Sequence, residues 1–548
     1  MSWHTLPAEL RQMILKFLTP TYLEMFRSED PYVRAGYARV CREWQWFFEP
    51  VTFRRLLLDQ NRTSNLDKFI SRVIQRRSYV KQIHPRIRLA DYDCTVCKLE
   101  EDKKSQKKNN AIFTKAITGL LIILSKWPKR EEHPKTPMSA RGICLDLSTF
   151  SPSDYQHGFR DFRLQPDYPI WFNWDAYADL DLDFPVERER AAQLQAEPFH
   201  DPSHGWENGY QGPVALGTTK RVTEPLTLHG ALPVVNLTTA FAIRRQSTRA
   251  IKSNSVKKLL STFPNLYHFT HEPWHAATAE RQQLFTSDYL SLLKNLPARL
   301  PHLQTLTLFQ DNLPPLRPAE NQYTPSKRLL GRALSETTRR NTSLTELSAS
   351  FLVDAYDFFH SFDIPQLEQP PSNPQTWDTL KTLHLTSSRL NPTIARWKRR
   401  QVLARAGRAA VLMPKLERMV LWNGGEGFGY YVVYNRVGHD GAPMLVLVSS
   451  FRSAWRYDLS PNVVAVWREV PRRAGVDSDL QVAVHKFPYF GSGEIRGFEE
   501  TLDVVWEHVG ADVVHEITAH QLMADVRVFR KAVGSDGDME MAAGEGGS

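Results

Sequence analysis

Leu300-Pro301-His302-Leu303-Gln304-Thr305-Leu306-Thr307-Leu308 carries three leucines at the spacing L-x-x-L-x-L, with threonines set between them. In an extended strand successive side chains point to opposite faces, so Leu306 and Leu308 share one face and Thr305 and Thr307 the other. The template recurs at Leu380-x-x-Leu383-x-Leu385 and Leu416-x-x-Met419-x-Leu421, with weaker copies at Leu266-x-x-Phe269 and Leu344-x-x-Leu347. The leading leucines lie 36 to 41 residues apart, and each follows a stretch compatible with a helix. Phe263-Pro264-Asn265-Leu266 and Met413-Pro414-Lys415-Leu416 introduce two further copies as Leu300-Pro301 introduces the first. A strand and a helix repeated at this period stack to bury what one unit cannot. The pattern predicts an α/β chain whose leucines face a solenoid core, with helices outside. Polar residues between the leucines, namely Thr305, Thr307, Thr382, His384 and Arg418, are expected on a concave strand face.

The repeats resemble leucine-rich repeats of an irregular, long-period kind. Upstream, alternation at Ile83, Ile87 and Leu89 predicts a strand, Glu100 to Lys108 a charged loop, Asn110 to Trp127 a helix, and Ile143, Leu145 and Leu147 another strand. Ser64-x-x-Asp67 has the form of a capping box opening a further helix. Residues 148–223, rich in Pro, Asp and aromatics such as Trp171 and Trp174, form a long insertion. Gly424-Gly425-Glu426-Gly427-Phe428-Gly429 precedes strand-like Tyr430 to Tyr434, so it is read as the turn of a hairpin with a second strand at Met444 to Val448. A phosphate loop would need a helix there.

The N-terminus is a separate unit. Leu6, Leu10, Met13, Ile14, Phe17 and Leu18 fall on a helical face opened by Pro7. Val33, Tyr37, Val40, Cys41, Trp44, Phe47 and Phe48 repeat that spacing before Pro50. So small a helical pair leaves apolar surface over, which implies a partner. Leu6-Pro7-x-Glu9-Leu10-x-x-x-Ile14-Leu15-x-x-Leu18 followed by Val40-Cys41-Arg42-Glu43-Trp44 resembles an F-box. That resemblance implies docking on a Skp-type adaptor and, through it, on a cullin. Leu6, Pro7, Leu10, Ile14, Leu15, Leu18, Val40 and Trp44 would supply the contact or the small core behind it. The tract Pro233 to Arg249, Glu272-Pro273-Trp274 and the glycine-rich turn near Trp422 resemble a fungal family in which an F-box-like start precedes an uncharacterised C-terminal region.

The expected organisation is a helical F-box-like module at 1–60, a helical linker with the first strand-helix unit at 61–135, the solenoid at 136–425, a mixed α/β cap at 426–530 and a disordered tail. Trp455, Trp467 and Trp506 are candidate anchors of the cap. The 42% hydrophobic content and 14 Trp exclude wholesale disorder. Four cysteines are too few for a disulfide scaffold, and no apolar run approaches a membrane span. A cytoplasmic or nuclear protein without a membrane partner is expected. The net charge of +9 is diffuse for 548 residues. Arg396-Trp397-Lys398-Arg399-Arg400, with Arg405 and Arg408, is read as the solvated outer face of a repeat helix rather than a nucleic-acid site.

Catalytic patterns are sparse. His271-Glu272-Pro273-Trp274-His275 matches the letters of H-E-x-x-H, whose zinc chemistry needs both histidines on one helical face. Pro273 forces Glu272 toward an extended backbone, which opposes that geometry. His515 and His520 are five apart and miss the same face. Cys94-x-x-Cys97 lacks a second ligand pair. No cofactor is expected. The sequence therefore reads as a substrate-recognition subunit of a Skp-cullin-F-box ubiquitin ligase, not itself an enzyme, that binds an unknown protein substrate. The alternatives are a zinc-dependent hydrolase through His271, Glu272 and His275, and a repeat scaffold that never meets the adaptor.

Overall fold

The computed structural model describes residues 3–18, 36–97, 99–127, 142–156, 206–207, 210–211, 223–276, 278–310, 325–362, 376–425, 427–438, 440–487, 501–502, 504–505 and 518. Twelve strands form one sheet whose spatial order equals the chain order. They are β1 (Arg55–Asp59), β2 (Gln82–Arg88), β3 (Ile143–Phe150), β4 (Thr238–Ile243), β5 (His268–His271), β6 (Thr305–Phe309), β7 (Glu346–Ser350), β8 (Thr382–Thr386), β9 (Arg418–Gly425), β10 (Phe428–Asn435), β11 (Met444–Ser449) and β12 (Gln481–Lys486). Every pair from β1 to β9 is parallel. β10 then runs antiparallel to both β9 and β11, and β12 is parallel to β11.

The register explains the leucine spacing. Leu56, Ile83, Leu145, Phe241, Phe269, Leu306, Leu347, Leu383, Met419, Tyr434, Leu445 and Val482 are successive cross-strand partners, so one apolar row crosses the whole sheet. The leading residue of each template sits in the turn before its strand. Leu266, Leu303 and Leu416 each donate their amide to the residue preceding the proline, at 3.3, 3.2 and 3.0 Å. Proline suits the second position of such a turn because its φ is preset and its missing N–H is not needed. The carbonyl of Gln304 then accepts from both Thr345 and Glu346, and that of Thr345 from both Lys381 and Thr382, which starts each new strand pair in register.

Helices cover the leucine face. α1 (Ala8–Leu18) and α2 (Arg42–Thr52) lie N-terminal to the sheet. α3 (Lys103–Ser125), α4 (Ser253–Leu260), α5 (Ala279–Arg299), α6 (Pro325–Arg340), α7 (Arg396–Val411) and α8 (Pro461–Arg473) follow. α4 packs on α5, α5 on α6 and α7 on α8, and their apolar stripes join the strand leucines in one continuous core. The opposite face carries a second, smaller core of Phe309, Val420, Trp422, Tyr431, Val433, Val448, Phe487, Leu502, Val504 and Val505.

β1 occupies Arg55–Asp59, inside the range read as the helical module. Three further expectations are corrected. Lys103–Lys108 is the first part of α3 rather than a loop, because Asp102 caps the amides of Lys104 and Ser105 at 2.8 and 2.9 Å and lysine and glutamine favour helix. The helix expected from Ser64 is broken: a wide helical turn at Leu66–Ser71 gives way to extended Val73 before Ile74–Tyr79. The basic tract of α7 is a solvated face only in part. Arg399 is buried against Asp458 at 2.7 Å, and Arg405 is buried and reaches the carbonyl and hydroxyl of Tyr356, each at 2.9 Å, while Arg396 and Trp397 are exposed and Lys398, Arg400 and Arg408 half-buried. The glycine-rich segment is the expected hairpin turn, with Gly427 at φ 74° between β9 and β10. Trp467 is buried and Trp455 half-buried; Trp506, the 157–205 part of the insertion and the tail lie outside the described residues. Among the described residues no helix is long and apolar enough to cross a membrane.

Candidate functional site

α1 is tied to α2 by polar contacts and an aromatic cluster. Glu43 accepts from Trp3 Nε1 at 2.8 Å and from Arg11 Nε at 3.0 Å, and Arg11 also donates to the carbonyl of Leu6 at 2.9 Å. Trp44 packs edge-on against Trp3 and Tyr37, and Tyr37 and Trp44 both lean on Phe48. α2 is joined to the short helix Ile74–Tyr79 by Arg76, which donates to Glu49 at 2.7 Å and lies over Phe53. Burial opposes ionisation of Glu49, but the hydrogen bonds from Arg76 and Gln45 and the Arg76 charge prevail and hold its carboxyl below the usual range.

With α1 held this way, Leu15 (2% exposed) is its one buried residue. Leu10, Met13, Ile14 and Phe17, at intervals of three and four, are all exposed, Met13 to 60% and Phe17 to 89%. This is an apolar stripe turned to solvent on an anchored helix. The structure divides the expected contact residues accordingly. Pro7, Leu10, Ile14 and Val40 are exposed, Leu6, Leu18 and Trp44 are half-buried, and Leu15 belongs to the core. Met13 and Phe17 join the exposed set although the motif comparison passes over them. The segment at 19–32 and Val33 lie outside the described residues.

The second site is the sheet face opposite the helices. Asp146, Ala242, Thr270, Thr307, Ser348 and His384 are cross-strand partners on β3 to β8, and the same row continues as Val420, Val433 and Val446. The face thus changes from polar to apolar at β9. Thr307 and His384 occupy the face expected of them, but they are buried rather than solvent-facing. On the apolar part Leu502, Val504 and Val505 are fully buried. On the polar part Arg244 pairs with Asp146 at 2.6 Å, both buried, and His84 Nε2 meets Ser148 Oγ at 2.9 Å. Burial holds His84 far below the usual range, aided by Arg86 and Arg244. Burial raises Asp146 against the opposing pull of Arg244 and Gln82.

Glu272 is the focus of this part. It is buried, its Oε2 accepts from the Thr518 hydroxyl at 2.6 Å and from the Arg245 amide at 3.2 Å, and its Oε1 has no hydrogen-bond partner among the described residues. Burial pushes its carboxyl up to about 7, although Thr518, Arg244 and Arg245 all favour the ionised form. Thr518 is 246 positions away, which is why sequence reasoning missed this contact. The only signal was that Glu272 lies in a motif noticed for other chemistry.

That motif does not have the geometry its zinc chemistry requires. His271 ends strand β5, so its ring and the Glu272 carboxyl point to opposite faces. The His271 ring stacks on Tyr289 of α5, with Nδ1 at 2.9 Å from the tyrosine oxygen, and burial lowers it to about 3. Burial and the Lys327 charge bring His275 down to about 4, against its contact with the Ala276 carbonyl. Among the described residues no group of three or more His, Cys, Asp or Glu is placed to hold a metal. Cys97 Sγ donates to the Cys94 carbonyl at 3.2 Å.

Residues 295–496 match a family of unknown function, DUF6546. The matched segment spans β6 to β12 and leaves out α1, α2 and Glu272. No curated protein matches the chain.

Proposed function

We propose that this protein is a substrate receptor of a Skp-cullin-F-box ubiquitin ligase, with α1 and α2 as the adaptor-docking module and the sheet with its helix layer as a leucine-rich-repeat-like solenoid that binds a protein substrate. Ubiquitin transfer falls to other subunits. The observation that carries the reading is the exposed stripe of Leu10, Met13, Ile14 and Phe17, extended by Val40, on a helix fixed from behind by Leu15, Glu43 and the Trp44–Phe48 cluster. An amphipathic helix that turns its apolar face to water is a docking element waiting for a groove. The in-order parallel strands and the single apolar row through all twelve support the solenoid reading.

The test is co-purification of the intact chain with a Skp-type adaptor, against a chain carrying Met13→Glu and Phe17→Glu. Both side chains are exposed, so the double variant keeps its fold. The wild type is expected to retain the adaptor and the variant to lose it. A folded wild type that fails to retain it leaves a repeat scaffold as the function.

A further inference from the structure

β12 is the last strand of the sheet. It pairs with β11 along its whole length without a register shift, and among the described residues no strand lies on its other side. The Gln481 and Phe487 amides donate to the carbonyls of Pro443 and Ser449 at 2.9 and 3.0 Å, so the odd-numbered residues turn their peptide groups toward β11. Those of Val482 and Val484 therefore point away from β11, along the outer edge. The side chains at that edge are unusual for it. Val482 ends the apolar row beside Leu445, and Val484 lies beside Leu447; both leucines are fully buried, yet each valine is 39% exposed. At the opposite edge β1 buries Leu58 and half-buries Leu56. Edge strands are ordinarily blunted by charge, proline or a bulge. Gln481-Val482-Ala483-Val484-His485-Lys486 has no proline, no acid and a lysine only at its last position.

We propose that β12 is a dimer interface: a second copy of this chain adds its own β12 antiparallel to the first, about a two-fold axis that passes normal to the sheet at Ala483. The occupant follows from the strand itself, which reads Val and then a polar residue outward from Ala483 in both directions. Residues opposite one another in an antiparallel pair share a face, so a symmetric pairing must centre on a residue. Centred on Ala483, Val482 of each copy meets Val484 of the other on the leucine face, and Gln481 meets His485 on the second face. Centred on Val484, each Val482 would lie against Lys486; centred on Val482, pairing within the strand shrinks to Gln481–Ala483. The hydrogen-bonding parity agrees, because Val482 and Val484 carry the outward peptide groups and such a pair exchanges both its N–H···O bonds. No like charges stand opposite one another. The apolar row then continues from one copy into the other, and the isologous contact closes an edge that would otherwise template further pairing. The inference is independent of the adaptor reading, which concerns α1 at the other end of the chain.

A single strand pair buries less than a standard interface, so sedimentation velocity of the full chain is followed from about 1 to 100 μM. Wild type is expected to move from the monomer toward twice the monomer mass across that range. Val482→Lys, Val484→Lys sets like charges opposite each other and is expected to stay monomeric. Val482→Glu, Val484→Lys sets Glu opposite Lys in both pairs and is expected to dimerise again, which separates loss of the interface from loss of the fold. Ala483→Cys is expected to form a disulfide-linked dimer on mild oxidation beyond the wild-type background, because Cα atoms of a non-hydrogen-bonded pair lie about 4.5 Å apart. A wild type that is monomeric at the highest concentration overturns the proposal. So does a double-lysine variant that dimerises like wild type, a Glu/Lys variant no better than the double lysine, or an Ala483→Cys chain cross-linked no more than wild type.

Discussion

Replacing Arg399 by methionine removes the cation from the most enclosed ion pair of the helix layer. Arg399 and Asp458 have side chains 1% and 0% exposed, and Arg399 Nε donates to Asp458 at 2.7 Å. Arg399 also donates to the carbonyls of Ile394 at 2.5 Å and Asn391 at 3.3 Å and to Ser453 Oγ at 3.3 Å, and it lies over the Phe451 ring. Among the described residues the variant leaves Asp458 with the Tyr430 hydroxyl at 3.3 Å as its side-chain hydrogen-bond partner and the more distant Arg400 charge. Breaking a buried pair from one side costs about 3–5 kcal/mol, because the leftover charge stays desolvated. Removing both charges with Arg399→Met and Asp458→Leu restores an apolar contact and is expected to recover most of that loss, leaving about 1–2 kcal/mol. Lys381→Ala is the control. Its pair with Glu417 has a similar length, 2.8 Å, but the side chains are 47% and 56% exposed, and the loss is expected to stay under about 1 kcal/mol. Urea unfolding followed by tryptophan fluorescence reads all four proteins. If Arg399→Met unfolds within about 0.5 kcal/mol of wild type, as a solvated charge would, the burial argument for α7 is refuted.

Three further outcomes are expected. The Glu272 carboxyl stands at about 7 against an ordinary 4.5, so its proton is bound more tightly in the folded state. Its contribution to stability is therefore complete below pH 4.5 and lost as the pH rises through 7. Wild type should lose roughly 3 kcal/mol relative to Glu272→Gln across that window, read from urea midpoints, and parallel pH profiles of the two proteins would contradict this. Gly424→Ala drives a methyl into Thr501 and should cost about 1–3 kcal/mol while making the chain beyond Phe487 sensitive to limited proteolysis; unchanged cleavage would speak against the packing described. Tyr289→Phe leaves the buried His271 Nδ1 without its partner and should lower stability by about 1–3 kcal/mol in the same unfolding assay, a neutral result being the contrary one.

The strands were legible because leucine spacing is a local property. Phe269, Leu306, Leu347, Leu383 and Met419 could be aligned by eye, and they form one row. β1 went unseen because Leu56, Leu57 and Leu58 show no alternation. α3 was started late because a charged run looks like a loop until Asp102 is recognised as its cap. The basic tract of α7 misled for a different reason. Charge patterning reports which residues prefer water, but Asp458 arrives from 59 positions away and makes burial tolerable. The covered second face was illegible on the same ground: alternation says which side chains share a face and is silent on what later chain lies upon it. The motif at α1 pointed to the helix proposed to dock, while the division into exposed Leu10 and Ile14 and inward Leu15 needed the position of α2.

The most direct measurement is calorimetric titration of the intact chain with a purified Skp-type adaptor, alongside the Met13→Glu, Phe17→Glu variant at matched melting temperature. Burying Leu10, Met13, Ile14 and Phe17 supplies about 1.5–3 kcal/mol per side chain before the costs of association, so two charges on the stripe should weaken binding by about 100-fold or more. Saturable one-to-one binding by wild type and none by the variant is the expected result. A well-folded wild type that releases no heat and forms no complex, or a variant that binds as tightly as wild type, would contradict α1 as the docking helix.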